Sequence, residues 1–265
     1  MYDLAYQRPA SLAEAVAALE AGDDATALAG GQTLLPVLRA RLAMPSRLVD
    51  LGRLAEIKAI EAHGDRIVIG AGERHADVAA SPLVRDALPG VATLAGGIGD
   101  PQVRHRGTIG GSIANNDPAA CYPSAALALD AVISTTRRQI PAAAFFTGLY
   151  ATALERGELV TSVSFPRCPR SLYIKFPNPA SRFALIGVFA AALNGQSRIA
   201  ITGAGSGVFR WSAAEAHVDD GGPAAGLMNL ALDPGQFTGD LHGSADYRMQ
   251  IARVVATRAL AALGL

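Results

Sequence analysis

The 265-residue chain is 50% hydrophobic, which supplies core material for one large domain or two modest ones and excludes intrinsic disorder. Its 23 Lys and Arg balance 23 Asp and Glu, so a formal net charge of +0 leaves no diffuse basic field to hold nucleic acid or an anionic membrane surface. Two cysteines, Cys121 and Cys168, are too few for a cysteine-ligated iron–sulfur cluster, a structural zinc site or a disulfide framework, and they fit a reducing cytoplasm.

The most apolar stretch, residues 184–193, is half of what a bilayer demands, and the start MYDLAYQRPA has no basic segment leading into an apolar run. A soluble, untargeted protein is expected. Along the first fifty residues, Ser11 caps a helix with Glu14 reaching back in a capping box, and Leu12, Ala15, Val16 and Leu19 give its apolar face before Gly22 ends it. Residues 26–29 read as a short buried strand. The pair Gly30-Gly31 follows, then LLPVLRARLA at helical spacing with Pro36 in its first turn, which sets the glycines at a strand-to-helix junction. Residues 47–51 read as a second strand parallel to the first, since strand, helix and strand in series imply a crossover.

From Ile57 the texture changes. IKAIEA and RIVIGAG flank His63-Gly64-Asp65 as a hairpin, and residues 76–94 are helix-like. The segment AGGIGDPQVRHRGTIGGSIANNDPAACYPS has almost no periodicity, and irregular backbone of that length inside a compact domain usually serves a ligand. A helix is predicted over 125–130, strands over 132–135, 159–165 and 172–176, and a helix over IPAAAFFTGLY. Past Pro177, residues 184–193 and 197–204 form an antiparallel pair around Asn194-Gly195-Gln196. A closing helix over ADYRMQIARVVATRALAAL carries Tyr247, Ile251, Val254, Val255 and Leu260 as its apolar stripe, with Arg248, Arg253 and Arg258 largely off it and Gly264 as its stop. A domain boundary falls near Arg170, in RCPRS, and no repeats occur.

Two glycine-rich segments carry the chemistry: Ala29-Gly30-Gly31-Gln32-Thr33 and Thr108-Ile109-Gly110-Gly111-Ser112. Each brings bare N–H groups toward an anion, because glycine has no side chain to hold a phosphate away and accepts φ > 0. Two such loops suit a pyrophosphate, and the hydroxyls of Thr33, Thr108 and Ser112 add donors. Either pair alone reads equally well as a tight turn. GAGSGV at 203–208 puts valine where a Rossmann fingerprint needs its last glycine, no phosphate-loop motif occurs, and Ser206 is not a nucleophile elbow because position 204 is alanine. His63, His75, His105, His217 and His242 show no metal-ligand spacing, so surface or loop roles are expected for them and no metal ligands or catalytic residues are assigned.

The segments AGGQTLLP and VRHRGTIGGSIANNDPA, with YQRPASLAEA, RLAMPSRLVDL, LALDA, ELVTSVSFP, YIKFPNPASRFALIGV and GDLHGSADYR, together resemble the FAD-binding medium subunit of bacterial molybdenum hydroxylases, the group of carbon monoxide and xanthine dehydrogenases. The resemblance spans nearly the whole chain. It implies an α+β fold, namely the bipartite FAD-binding fold of the vanillyl-alcohol oxidase type with two α/β subdomains (about 1–56 and 57–170), followed by a small C-terminal domain of antiparallel sheet and helices (171–265). By the same resemblance, FAD contacts Ala29, Gly30, Gly31, Gln32, Thr33 and Leu34 on the first loop and Thr108, Ile109, Gly110, Gly111 and Ser112 on the second. Ile98 and Val160 align with apolar positions at the cofactor. Lys175 aligns with a lysine near the flavin ring, where a cation favours the negative charge gained on reduction. Cys121 stands where the family often carries an aspartate.

The implied function is an FAD-carrying electron-transfer subunit, an oxidoreductase component that takes electrons from a partner's iron–sulfur clusters and delivers them to an external acceptor. Molybdopterin is expected on a large partner subunit and [2Fe–2S] clusters on a small one, in a cytoplasmic heterotrimer. A non-catalytic flavin-binding or redox-sensing module is the alternative. An independent flavin oxidase is the third reading, and it lacks an obvious base or a covalent flavin-linking residue.

Overall fold

The computed structural model describes residues 2–22 and 24–265. The chain begins with β1 (Ala5–Gln7), α1 (Leu12–Glu20), β2 (Ala25–Leu28), α2 (Leu34–Arg39) and β3 (Arg47–Asp50), and the three strands form a parallel sheet in the order β1-β3-β2. The Ser11 hydroxyl accepts from the Glu14 N–H at 3.2 Å and the Glu14 carboxylate accepts from the Ala10 N–H at 2.8 Å, so the capping box forms with its return bond one residue earlier than expected. β2 is only half-buried, and Thr26 and Ala27 line a cavity. α2 is shorter than its apolar spacing suggested: Arg41 turns left-handed at φ 57° and the helix stops before it.

A second unit follows with β4 (Ile60–His63) and β5 (Arg66–Gly70) paired as the expected hairpin. Residues 75–96 form three helices, α3 (His75–Ala80), α4 (Pro82–Ala87) and α5 (Pro89–Gly96), where one helix-like stretch was predicted. Pro82 and Pro89 cannot donate to a preceding turn, and each restarts the helix at its first position. The segment that reads as aperiodic contains α6 (Pro101–Arg104) and α7 (Ile109–Asn115), capped by Asp100 and Thr108. After α8 (Tyr122–Ala128) come β6 (Val132–Thr135) and β7 (Gln139–Pro141). In place of one helix over IPAAAFFTGLY there is a single helical turn, α9 (Ala142–Phe145), and a small hairpin of β8 (Phe146–Gly148) and β9 (Ala151–Thr152). β10 (Val160–Pro166) completes an antiparallel sheet in the order β4-β5-β10-β6-β7.

The remaining sheet is β11 (Ser171–Pro177), β12 (Ala184–Leu193), β13 (Gln196–Thr202) and β14 (Phe209–Arg210), antiparallel in that order, with α10 (Ser212–Asp219) and α11 (Ala245–Leu263) packed on it. β12 is apolar throughout because both its faces are buried. Phe189, Ala191 and Leu193 enter the core of the N-terminal units, while Ile186, Val188 and Ala190 meet α11. Asn194 and Gly195 turn the hairpin with φ of 52° and 77°, the positive pair that a tight two-residue turn requires. On α11 the buried face is Arg248, Ala252, Val255, Ala256, Ala259 and Leu260, rotated from the expected stripe, and Tyr247 is 43% exposed. Arg248 is buried because its guanidinium donates to the Gly203 carbonyl at 2.6 Å and pairs with Asp240 at 2.6 Å.

An ion pair clamps the first two units together, and further pairs brace the second. Arg137 bridges Glu20 of α1 (2.8 Å) and Glu155 (3.0 Å), while Arg138 pairs with the buried Glu158 at 3.1 Å. Burial alone would raise the Glu158 pKa. Hydrogen bonds from Arg138, Thr135 and the Glu155 N–H outweigh it and hold the carboxyl down at about 2, against its usual 4.5. A depressed carboxylate stabilises the fold above its unfolded pKa, and the contribution is lost as pH falls through the folded value. Glu158→Gln is therefore expected to cost about 3 kcal/mol of unfolding free energy at pH 7. In denaturant titrations across pH, the gap from wild type should close between pH 4.5 and 2.

Candidate functional site

A cavity of about 460 Å³ lies where the parallel-sheet unit, the five-stranded unit and β11 meet, a size suited to a large organic cofactor. Both glycine segments line it. In the first, Gly31 takes φ +72°, and among the described residues the N–H groups of Gly30, Gly31, Gln32 and Thr33 have no hydrogen-bond partner. Thr33 also makes no side-chain cap, so its hydroxyl stays free at the N-terminus of α2. A run of unpaired amides around a left-handed glycine is an anion nest.

The second segment is built differently from the sequence expectation. Its amides are spent on the protein: Ile109 donates to Glu73 O (3.0 Å), Gly110 to Ala71 O (2.9 Å), Gly111 to the Thr108 hydroxyl (3.1 Å) and Ser112 to Thr108 O (3.0 Å). Ile109 is fully buried in the core and does not line the cavity. Gly110 is required by packing, since a Cβ there would lie 2.5 Å from that of Ala71. What this loop offers the cavity is the surface of Gly110 and Gly111 and the side chains of Thr108 and Ser112. Gly30 serves packing too, because a Cβ on it would lie 2.6 Å from the Gly107 Cα. Only Gly31 owes its identity to backbone conformation.

Leu34, Ile98, Cys121, Val160 and Lys175, singled out from sequence, all line the same cavity. Lys175 lines the cavity from β11, and its ammonium donates to the carbonyls of Gly97 (2.5 Å) and Arg182 (3.0 Å), tying the end of α5 to the β11–β12 loop. Cys121 is buried, and that burial raises its thiol pKa against the opposing pull of Lys175, so it meets the cavity as a neutral SH. Asp117, Arg182, Phe183 and His75 also line the cavity and were not read from sequence. Asp117 is held by the Ala119 N–H (2.8 Å) and the Tyr150 hydroxyl (3.3 Å). His75 was expected on a surface or loop. Its backbone N–H bonds instead to Gly107 O (3.0 Å), and the bridge between Arg74 and Thr108 buries it, a long-range pairing with no local signal. Burial, with Arg104 adding to it, lowers the His75 pKa to about 4 and keeps the ring neutral. His63, His105, His217 and His242 lie away from the cavity lining, and among the described residues no three His, Cys, Asp or Glu converge as a metal site.

The family described as FAD binding domain in molybdopterin dehydrogenase matches residues 2–168. The chain belongs to this family. It is 35% identical to the carbon monoxide dehydrogenase medium chain of Hydrogenophaga pseudoflava, covering 96% of this chain and 95% of that one. It is 33% identical to the nicotine 6-hydroxylase medium subunit of Paenarthrobacter nicotinovorans, covering 98% and 96%. Among solved structures, quinoline 2-oxidoreductase from Pseudomonas putida 86 superposes with a TM-score of 0.90 at 28% identity, over 99% of this chain and 97% of that one. The chain is thus an FAD-binding medium subunit of the molybdenum hydroxylase family, an oxidoreductase family, and its mixed α and β architecture is shared with those structures. Among the described residues no helix is long and apolar enough to cross a membrane.

The residues of the cavity fit FAD: a nest of unpaired amides, flanking hydroxyls and apolar walls from Ala27, Ile98 and Val160. The two glycines should respond differently to substitution. In thermal unfolding of the cofactor-free chain, Gly31→Ala should cost about 1 kcal/mol for its left-handed φ. Gly110→Val should cost several kcal/mol, because it drives a side chain into Ala71. Equal losses would contradict the packing role of Gly110.

Proposed function

We propose that this chain is the FAD-carrying electron-transfer subunit of a molybdenum hydroxylase complex, taking electrons from a partner's iron–sulfur clusters and releasing them to an external acceptor. The observation that carries this reading is the amide nest opening into an apolar cavity, in a chain matched over nearly its full length by medium subunits of dehydrogenases and hydroxylases. The names of those relatives favour turnover over a redox-sensing role. Bound in the cavity, FAD supplies a redox group that bridges one-electron iron–sulfur donors and two-electron acceptors.

In this reading the amides of Gly30 to Thr33 hold the pyrophosphate, and the hydroxyls of Thr33, Thr108 and Ser112 complete its shell. Ala27, Ile98 and Val160 exclude water from the ring system. Lys175 holds a positive charge at the opening, and Cys121 contributes a neutral contact. The fold is then of the bipartite vanillyl-alcohol oxidase type, with subdomains about 1–56 and 57–170 and a C-terminal domain over 171–265. The working unit is a cytoplasmic heterotrimer with a large molybdopterin subunit and a small [2Fe–2S] subunit, because two cysteines cannot ligate even one four-thiolate cluster.

Division of labour among subunits is open to test. In the complex recovered by copurification, the hydroxylated substrate should bleach the bound flavin. The isolated chain with bound FAD should stay oxidised with the same substrate. Bleaching by the isolated chain would contradict the reading and favour an independent flavin oxidase.

A further inference from the structure

His75 is 5% exposed, lines the cavity, and sits where the two glycine loops touch. Gly107 is the meeting point. A Cβ on it would lie 2.6 Å from the His75 Nε2, and a Cβ on Gly30 would lie 2.6 Å from the Gly107 Cα. Residue 107 therefore packs against both His75 and Gly30, so the imidazole borders the nest on the same cavity wall. The imidazole has no hydrogen-bond partner at either nitrogen among the described residues, and Nδ1 is sealed from solvent. The ring of Tyr122 packs against it with centroids 5.4 Å apart, and the Tyr122 hydroxyl is a second sealed polar atom without a partner. A buried polar group at a cavity wall with nothing to bond costs stability unless a ligand or water completes it.

We propose that His75 is a further cofactor-binding residue, donating from Nε2 to an anionic oxygen of the dinucleotide phosphates held in the nest. This rests on the reading that the cavity binds FAD. A neutral ring carries one N–H, and with Nδ1 sealed beside Tyr122 the proton belongs on Nε2, the nitrogen next to Gly107. Such a donor compensates for the second loop, whose own amides are occupied. It also explains glycine at 107: any side chain there would displace the ring from the wall.

The test uses the full chain stripped of flavin and titrated with FAD by fluorescence. His75→Phe keeps an aromatic ring but removes the donor, and it should weaken FAD binding about tenfold or more, as for a lost hydrogen bond to a charged group. His75→Gln, which keeps an N–H, should recover most of the affinity. In thermal unfolding neither flavin-free variant should be less stable than wild type, because the Nδ1 removed in His75→Phe has no partner to lose. Equal affinity in His75→Phe, or no recovery in His75→Gln, would overturn the proposal. A measurement on the wild type avoids any folding defect: in ¹⁵N-histidine NMR the Nε2 resonance of His75 should shift when FAD is added, and an unmoved resonance would overturn the assignment. If the wild-type chain binds no FAD at all, the underlying functional reading fails, and this inference with it.

Discussion

Everything at the site depends on one close approach: Gly30 packed flat against the backbone of Arg106 and Gly107. That contact joins a loop of the parallel-sheet unit to a loop of the five-stranded unit, so it fixes how the two units face one another and therefore the width of the cavity between them. A side chain at either glycine would wedge the loops apart. The ion-pair clamp of Arg137 with Glu20 and Glu155 ties α1 of the first unit to the second by charge, where the loops tie it by bare backbone. Interiors are densely packed, so a wedge of one methyl group propagates instead of being absorbed locally.

The two glycine loops then divide their work. The first keeps its amides unpaired around a left-handed residue and offers them to an anion. The second spends its amides on Ala71, Glu73 and Thr108, which makes it a rigid wall that presents hydroxyls and a smooth surface. A nest on each side would have left eight or so polar groups needing partners in the unliganded chain, a heavy desolvation cost. One open nest against one satisfied wall limits that cost. The third element, β11, braces the cavity wall through Lys175, whose ammonium links the end of α5 with the loop after β11.

Much of this was legible in the sequence, and the misses have definite causes. Strand pairings followed from alternation and turn chemistry, as at Asn194-Gly195, and the two glycine loops followed from their composition. Helix lengths over 75–96 were misjudged because apolar spacing ran on through Pro82 and Pro89, where the backbone must restart. The stripe on α11 was misplaced because Arg248 reads as a surface residue until the carbonyl of Gly203 and the carboxylate of Asp240 are seen to bury it. Composition also cannot tell a glycine needed for ligand approach from one needed for packing. Gly110 is of the second kind, a fact that lies in Ala71, 39 positions away on the chain. His75 reads from sequence as a surface or loop residue for the same reason, since its buried place at the cavity wall comes from the pairing of Arg74 with Thr108.

The central claim is that anion recognition resides in the amides of Gly30 to Thr33 and that the second loop is a prebuilt wall. Amide hydrogen exchange on the chain with and without FAD tests it most directly. Amides 30–33 should exchange fast without cofactor and become protected when FAD is added, whereas amides 109–112 should be protected in both states. Protection gained at 109–112 with no change at 30–33 would contradict the account.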